Sequence, residues 1–374
     1  MLTFAELVAL DGELEQTPTL TLYLDGRTDN PAWRTAWRRS LKQEEARLRR
    51  EIADAPHDER EAFAKNIEAL EAYLAHRRGA LDAPGWLGVV ADGVLKLDAP
   101  LPVATPTLGV WRNGVALAPF LCAGQLTCQA WVVIADSRAA RIFHCQEGVV
   151  RRVETVRTYL HDHREAGAGR RSAMHQGTRG GMGRDEAERE RREARSRMLR
   201  TLAERVHALT PVLPIFVGGT PQLLGEAIAA MEHLGVRTIT ETPALGARAR
   251  VSEIARSVRE GLMQLRRLEE QALVADLLRR NADDDLAAAG AAITGRALDE
   301  RAVQALVLSN SFVALQPEVA EVFVRSALAQ HAQVEVVAGD AARMLEEAGG
   351  AGVLLRFSPF KLSVEATNEM AEVS

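Results

Sequence analysis

The sequence predicts a chain of mixed α/β and α+β class folded as three domains. Three observations carry that reading. The dipeptides Asp92-Gly93 and Asn113-Gly114 each lie between short apolar stretches, a strong local signal for β-hairpins. Residues 129–135, QAWVVIA, are a near-continuous apolar run of strand length, as a buried strand requires. Towards the C-terminus short helical and strand patterns alternate, which predicts a C-terminal α/β/α sandwich. A length of 374 residues suits two or three domains, and the pattern changes place them at 1–122, 123–268 and 269–374.

In the first domain, PTLTLYLD at 18–25 alternates and reads as a strand. Asn30-Pro31 opens a helix to about residue 53, with Trp33, Trp37, Leu41 and Leu48 among arginines. A second helix over 58–76 puts Phe63, Ile67, Leu70 and Leu74 on one face. The joint between them is short, which predicts an antiparallel pair. Strands at 86–91 and 94–97 flank the first hairpin turn; strands at 107–111 and 115–120 flank the second.

The second domain opens with strands at 129–135, 140–144 and 148–156. A helix over 185–209 follows a long irregular segment. VLPIFV at 212–217 reads as a buried strand, Gly218-Gly219-Thr220-Pro221 as the start of a helix over 223–231, and 236–241 as a short strand. A helical region over 251–280 spaces Ile254, Val258, Leu262, Leu265, Leu268, Leu273 and Leu277 on one side and runs into the third domain. There a helix at 299–305 leads to a strand at 306–308 ending in Ser309-Asn310. A helix at 317–329, a strand at 334–337, a helix at 341–347 and a strand at 353–357 complete it.

Composition narrows the function classes. Apolar content of 47% and charged content of 26% describe a soluble globular chain. Aromatic content of 5% disfavours a single-strand binder that works by base stacking. No run approaches the ~18 apolar residues of a membrane span. The N-terminal stretch carries acids instead of a basic n-region, so no signal peptide is expected. Cys122, Cys128 and Cys145 form no C-x-x-C pair, which fits structural thiols in a reducing cytoplasm. The net charge of -5 argues against a surface coated with nucleic acid, but charge is local.

Residues 162–184 are the local exception. Gly167, Gly169, Gly177, Gly180, Gly181 and Gly183 punctuate a stretch with no apolar period, and Arg164, Arg170, Arg171, Arg179 and Arg184 make it basic. The helix that follows begins with Asp185, Glu186 and Glu188, which suit a helix N-terminus, and then shows a stripe of Met198, Leu199, Leu202, Val206 and Leu209. Two readings stand: an insertion whose charges only solvate it, or a basic loop that reaches into nucleic acid. At the tip, Gly180-Gly181-Met182-Gly183 can present backbone N–H groups to an oxyanion or a water. Nothing there can act as a general base, so any hydrolysis would rest on positioning.

Other candidate chemistries are weaker. His161, His163 and His175 have no Cys/His or H-E-x-x-H partner, so no metal is expected, and no cofactor motif is present. Ser172, Cys145 and Ser309 lack a nucleophile frame. Val217-Gly218-Gly219-Thr220 reads as a tight strand-to-helix turn, since it has neither a P-loop lysine nor dinucleotide spacing. The arginines between Arg34 and Arg50 form either a solvated face or a contact to RNA backbone.

Several motifs resemble one superfamily. VEVV at 334–337, a short helix and GGAGVLLRF at 349–357 are similar to the closing strand of class-I archaeo-eukaryotic release factors and Pelota. Gly295 before a helix, AVQALVLS at 302–309 and AWVVIADSRAARIF at 130–143, followed by the basic loop and long helix, fall in that superfamily's order. The chain most resembles the bacterial archaeo-eukaryotic release-factor family, which includes the hibernation factor Balon. The resemblance implies three domains arranged as in those factors, and a ribosome A-site-binding translation factor acting in hibernation or rescue. Its implied partners are ribosomal RNA, peptidyl-tRNA and a translational GTPase such as elongation factor Tu, with no membrane. It implies that Arg164, Arg170, Arg171, Arg179 and Arg184 bind RNA. Release factors carry Gly-Gly-Gln at the tip, whereas here the triplet is Gly180-Gly181-Met182, so the resemblance favours a non-enzymatic factor. The alternative is a peptidyl-tRNA hydrolase that uses Gly180, Gly181 and the Met182 amide. Stop-codon reading is not expected, because the joint at 54–57 is too short for the decoding motif.

Overall fold

The computed structural model describes residues 2–26, 36–77, 79, 81, 83–101, 105, 107–124, 129–146, 149–158, 182–209 and 213–357, with side chains throughout except at 123, 124 and 182–187. The chain mixes helices with three separate sheets. It divides into two compact units, one of Met1–Leu126 with Arg266–Ser374 and one of Thr127–Leu265.

The first unit opens with α1 (Phe4–Glu13), which composition alone did not announce, and β1 (Pro18–Asp25). There follow α2 (Ala36–Glu51), α3 (His57–Ala75), β2 (Gly85–Ala91), β3 (Val94–Leu101), β4 (Leu108–Asn113) and α4 (Ala118–Gly124). The sheet runs β3-β2-β1-β4, antiparallel throughout. The β2–β3 hairpin turns as the dipeptide predicts, with φ of 55° at Asp92 and 73° at Gly93. One sheet face packs Leu20, Leu22 and Trp86 against Trp37 and Leu48 of α2 and Phe63 and Leu70 of α3.

The second predicted hairpin does not form. After Gly114 the chain leaves the sheet, and β4 pairs with β1 instead. Side chains claim the backbone that a return strand would use. Val115 N–H donates to Asp11 Oδ1 at 2.7 Å, Ala116 N–H to Thr21 Oγ1 at 3.1 Å, and Leu117 and Ala118 N–H both to Glu321 Oε2 at 2.9 Å. These bonds turn the segment into the start of α4.

In the second unit the sheet order is β7-β6-β5-β8-β9. Strands β5 (Gln129–Ala135), β6 (Ala139–Gln146) and β7 (Val149–Arg157) form an antiparallel meander. Strand β8 (Ile215–Gly219) lies parallel to β5, and β9 (Ile239–Glu241) parallel to β8. Helices α5 (Met182–Ala208) and α6 (Pro221–His233) cover one face through Met198, Leu202, Val206, Leu223 and Met231. Ile254 and Val258 of α7 (Val251–Ala282) cover the other, against Phe216 and Val132.

The rest of the first unit is the expected sandwich. Its sheet, β10-β13-β11-β12, is built from β10 (Ala287–Ala289), β11 (Val303–Ser309), β12 (Gln333–Val337) and β13 (Ala351–Leu355). Only β11 and β12 are parallel. Helices α7 and α11 (Gly339–Glu346) pack on one face through Val274, Leu277 and Leu345. On the other lie α8 (Ala291–Asp299), α9 (Asn310–Leu315) and α10 (Pro317–Ala329). The helix expected at 299–305 is displaced: Gly295 lies inside α8, which ends at Asp299, and β11 already begins at Val303. Leu306, Phe312, Phe323 and Val324 share one continuous core with Tyr23, Leu87 and Val89 of the N-terminal sheet.

Candidate nucleic-acid interface

Helix α5 is longer than the core that holds it. From Ala194 onward its inner face is buried at Met198, Leu199, Leu202, Ala203 and Val206. Every residue from Glu188 to Glu193 is exposed. Arg191 and Arg192 stand seven residues before Met198 and Leu199, so they occupy the same helical face. That face is apolar and buried over the sheet, then cationic and exposed before it. The helix therefore overhangs its own sheet among the described residues.

The chain leaves and rejoins this helix at different heights. At the end of β7, Thr158 N–H donates to Arg138 O at 2.8 Å, and its hydroxyl lies 2.9 Å from Met198 Sδ. The chain rejoins at Met182, sixteen residues earlier along α5, or about 24 Å at 1.5 Å per residue. Thr158 thus lies at the base of the overhang and Met182 at its tip.

Pairing along α5 is uneven. Arg189 bonds Glu193 at 3.0 Å, Arg195 faces Glu226 at 3.7 Å, and Arg205 faces Glu154 at 3.3 Å. Among the described residues Arg191, Arg192, Arg197 and Arg200 are exposed with no acidic partner. The edge strand β7 adds exposed Arg151, Arg152 and Arg157. An unpaired exposed guanidinium is suited to phosphate, which it can bind with two parallel N–H donors.

Of the residues singled out in the sequence, Arg164, Arg170, Arg171, Arg179, Gly180 and Gly181 lie outside the described residues, as do His161, His163, His175 and Ser172. Met182 is the first residue of α5, three residues before the predicted start, and Arg184 lies in the same first turn. Arg191 and Arg192 were not singled out. Their signal was present in the sequence, as a charged helical stretch that precedes the apolar stripe.

Other candidates resolve into structural roles. Gly219 has φ of 135°, and a Cβ there would overlap the Ala135 carbonyl. Gly219 N–H donates to Leu245 O at 2.7 Å and Thr220 N–H to Ala135 O at 3.0 Å, so these donors are spent on packing β8 and are closed to a phosphate. Ser309 is fully buried and caps α9, accepting Phe312 N–H at 3.0 Å. Cys145 is buried in the second unit. In the α2 row, Arg38 donates to Arg77 O, Arg47 pairs with Glu44 and Glu51, and Arg49 with Glu45. The row is thus only partly self-paired: Arg39, Lys42 and Arg50 are exposed without an acidic partner among the described residues, and Arg34 lies outside them. No group of three or more possible metal ligands occurs among the described residues, and none of their helices is long and apolar enough to cross a membrane.

No protein-family profile matches the chain, and no curated protein matches it. Among solved structures it is similar to Pelota of Archaeoglobus fulgidus, at 13% identity and a TM-score of 0.40, over 73% of this chain and 79% of that one. It is similar to archaeal Pelota described as ribosome-bound with ABCE1, at 12% identity and a TM-score of 0.44, over 95% and 94%. It is also similar to Dom34 of S. cerevisiae, described as a translation termination-like factor that interacts with Hbs1, at 11% identity and a TM-score of 0.43, over 69% and 74%. Likeness of this degree assigns no activity to the chain.

Proposed function

We propose that this chain is a ribosome-binding translation factor of the release-factor and Pelota type, acting in hibernation or rescue without reading stop codons. The observation that supports it is the overhang of α5, which carries unpaired Arg191 and Arg192 and leads back from a basic, glycine-rich segment. In this reading Arg164, Arg170, Arg171, Arg179 and Arg184 contact ribosomal RNA at the A site. The motifs at 334–337, 349–357 and 130–143 favour the bacterial branch of that superfamily and three domains at 1–122, 123–268 and 269–374, while delivery by a translational GTPase such as elongation factor Tu follows from the resemblance alone and from no particular residue. The test is co-sedimentation with ribosomes, empty and loaded with peptidyl-tRNA, with released peptide assayed in the same tubes. Binding without release is the expected result; no binding to either at moderate salt would contradict it.

One observation favours a second reading, peptidyl-tRNA hydrolysis. Met182 opens α5, so its N–H has no partner within the helix. That donor, next to Gly180 and Gly181, could orient a water although the glutamine of release factors is missing. Release confined to loaded ribosomes would support this reading over the first.

A further inference from the structure

Strand β4 is an edge strand, and its outer edge is only partly closed. Gly109 N–H donates to Glu44 Oε2 at 3.1 Å, and its carbonyl accepts from Arg47 at 2.5 Å. Two side chains of α2 thus stand in for a neighbouring strand, a common guard against edge-to-edge aggregation. Backbone direction alternates in an antiparallel pair, so Trp111 and Asn113 point outward as Gly109 does. Among the described residues nothing stands in for a strand at Trp111, and the Asn113 carbonyl meets only Arg112 Nε, at 3.3 Å.

Two grooves flank this open stretch. One, of about 720 Å3, lies on the α10 side, and its wall includes Leu315, Val319 and Val322, which are 81%, 38% and 60% exposed. The other, of about 530 Å3, lies beside the start of α3 and contains Asp58 and Glu59. Arg112 lines both. Its nearest acid is Glu321 at 3.6 Å, but that carboxylate already accepts Leu117 N–H, Ala118 N–H and Arg325 Nε. Burial holds the Arg112 pKa below the usual guanidinium value although Glu321 pulls the other way. The guanidinium is half-buried, and it shares its acid with Arg325 and two backbone N–H groups.

We propose that β4 is a docking edge for an extended segment of a partner protein, which adds as a fifth strand beyond Trp111 and Asn113. Main-chain hydrogen bonds give such pairing its affinity, and alternate side chains give it specificity. Side chains on one face of the segment are apolar, over Leu315, Val319 and Val322, with one carboxylate opposite Arg112. Side chains on the other face meet Asp58 and Glu59, which favours Lys or Arg there.

The test is selection of a displayed library of random dodecapeptides on the purified full-length chain, followed by affinity measurement on the synthetic consensus peptide. The expected consensus alternates and contains one acidic residue among apolar ones. Its affinity falls at least tenfold for Val322→Asp, a substitution at an exposed position that leaves the circular dichroism melt unchanged. It falls similarly for Arg112→Glu, and a peptide with its acid changed to lysine binds Arg112→Glu better than it binds the wild type. A consensus without an acid, or an affinity unmoved by either substitution, overturns the proposal. A dimer that Val322→Asp converts to monomer would assign the edge to a second copy of the chain. Peptide binding seen only after deletion of 358–374 would assign it to the chain's own C-terminus. Either result overturns the partner proposal.

Discussion

Arg325 and Asp11, 314 residues apart, form a two-pronged ion pair, with Nη1 2.7 Å from Oδ2 and Nη2 2.5 Å from Oδ1. The pair fastens α1 to α10, and the same guanidinium reaches Val115 O at 2.8 Å and Glu321 Oε1 at 3.1 Å. Asp11 is largely buried, and it also accepts Val115 N–H. Removing one partner of such a pair strands the other, at a cost of about 3 kcal/mol. Asp11→Ala is therefore expected to lower the urea midpoint of the first unit, and Arg325→Ala to do so by a similar amount. The double variant should cost less than the sum of the two. Additive losses would show that the pair is not coupled.

Gly219 is expected to tolerate no side chain. Its φ of 135° lies outside the range of L residues, and a Cβ would overlap the Ala135 backbone. Gly219→Ala should destabilise the second unit by about 2–3 kcal/mol. Hydrogen exchange should show β5 and β8 opening more often. Unchanged protection would mean that the turn has room to relax.

The start of α1 carries a pH dependence of known sign. Thr3 N–H donates to Glu6 Oε2 at 2.8 Å and the Thr3 hydroxyl donates to the same oxygen at 2.9 Å. The backbone bond first and the hydroxyl second hold the Glu6 carboxyl below its ordinary pKa. A depressed carboxylate contributes stability above its unfolded pKa, about 4.3, and loses it as pH falls through the folded value. Glu6→Gln should thus lower Tm at pH 7, and the difference from wild type should shrink steadily on acidification. A difference that stays constant to low pH would show that ionisation is not involved.

Met182 separates the two functional readings. Proline is well tolerated at the first position of a helix, where it removes only an N–H that has no helical partner. Met182→Pro should leave ribosome binding unchanged if the chain is a non-enzymatic factor. If it is a hydrolase that uses this amide, the same change should reduce single-turnover release by a factor of about a hundred, the usual worth of one such donor.

The elements that strict periodicity announces appear where the sequence placed them. Phe63, Ile67, Leu70 and Leu74 face the sheet from α3, and β5 is buried along nearly its whole length. The misreadings have long-range causes. Asn113-Gly114 is good hairpin chemistry, but Asp11 and Glu321, distant in sequence, take the N–H groups that the return strand needed. Ser309-Asn310 is the strand end that the sequence indicates, and by a local bond Ser309 also caps the short helix α9, which the sequence reading did not include. In the candidate interface the basic segment was legible from composition. The overhang was not, because where α5 outruns its sheet depends on where β5, β6 and β7 end. Arg191 and Arg192 matter only in that context.

In the proposed function, the overhang and the basic segment that leads into it bind ribosomal RNA. The most direct test is ribosome affinity across a salt series, for wild type and for Arg191→Glu/Arg192→Glu. Both positions are exposed, so stability should change by no more than about 0.5 kcal/mol each. Each lost phosphate contact flattens the slope of log affinity against log salt by about 0.7 to 0.9. Weaker binding and a shallower slope are expected for the double variant. Equal affinity and an equal slope would contradict RNA binding by the overhang.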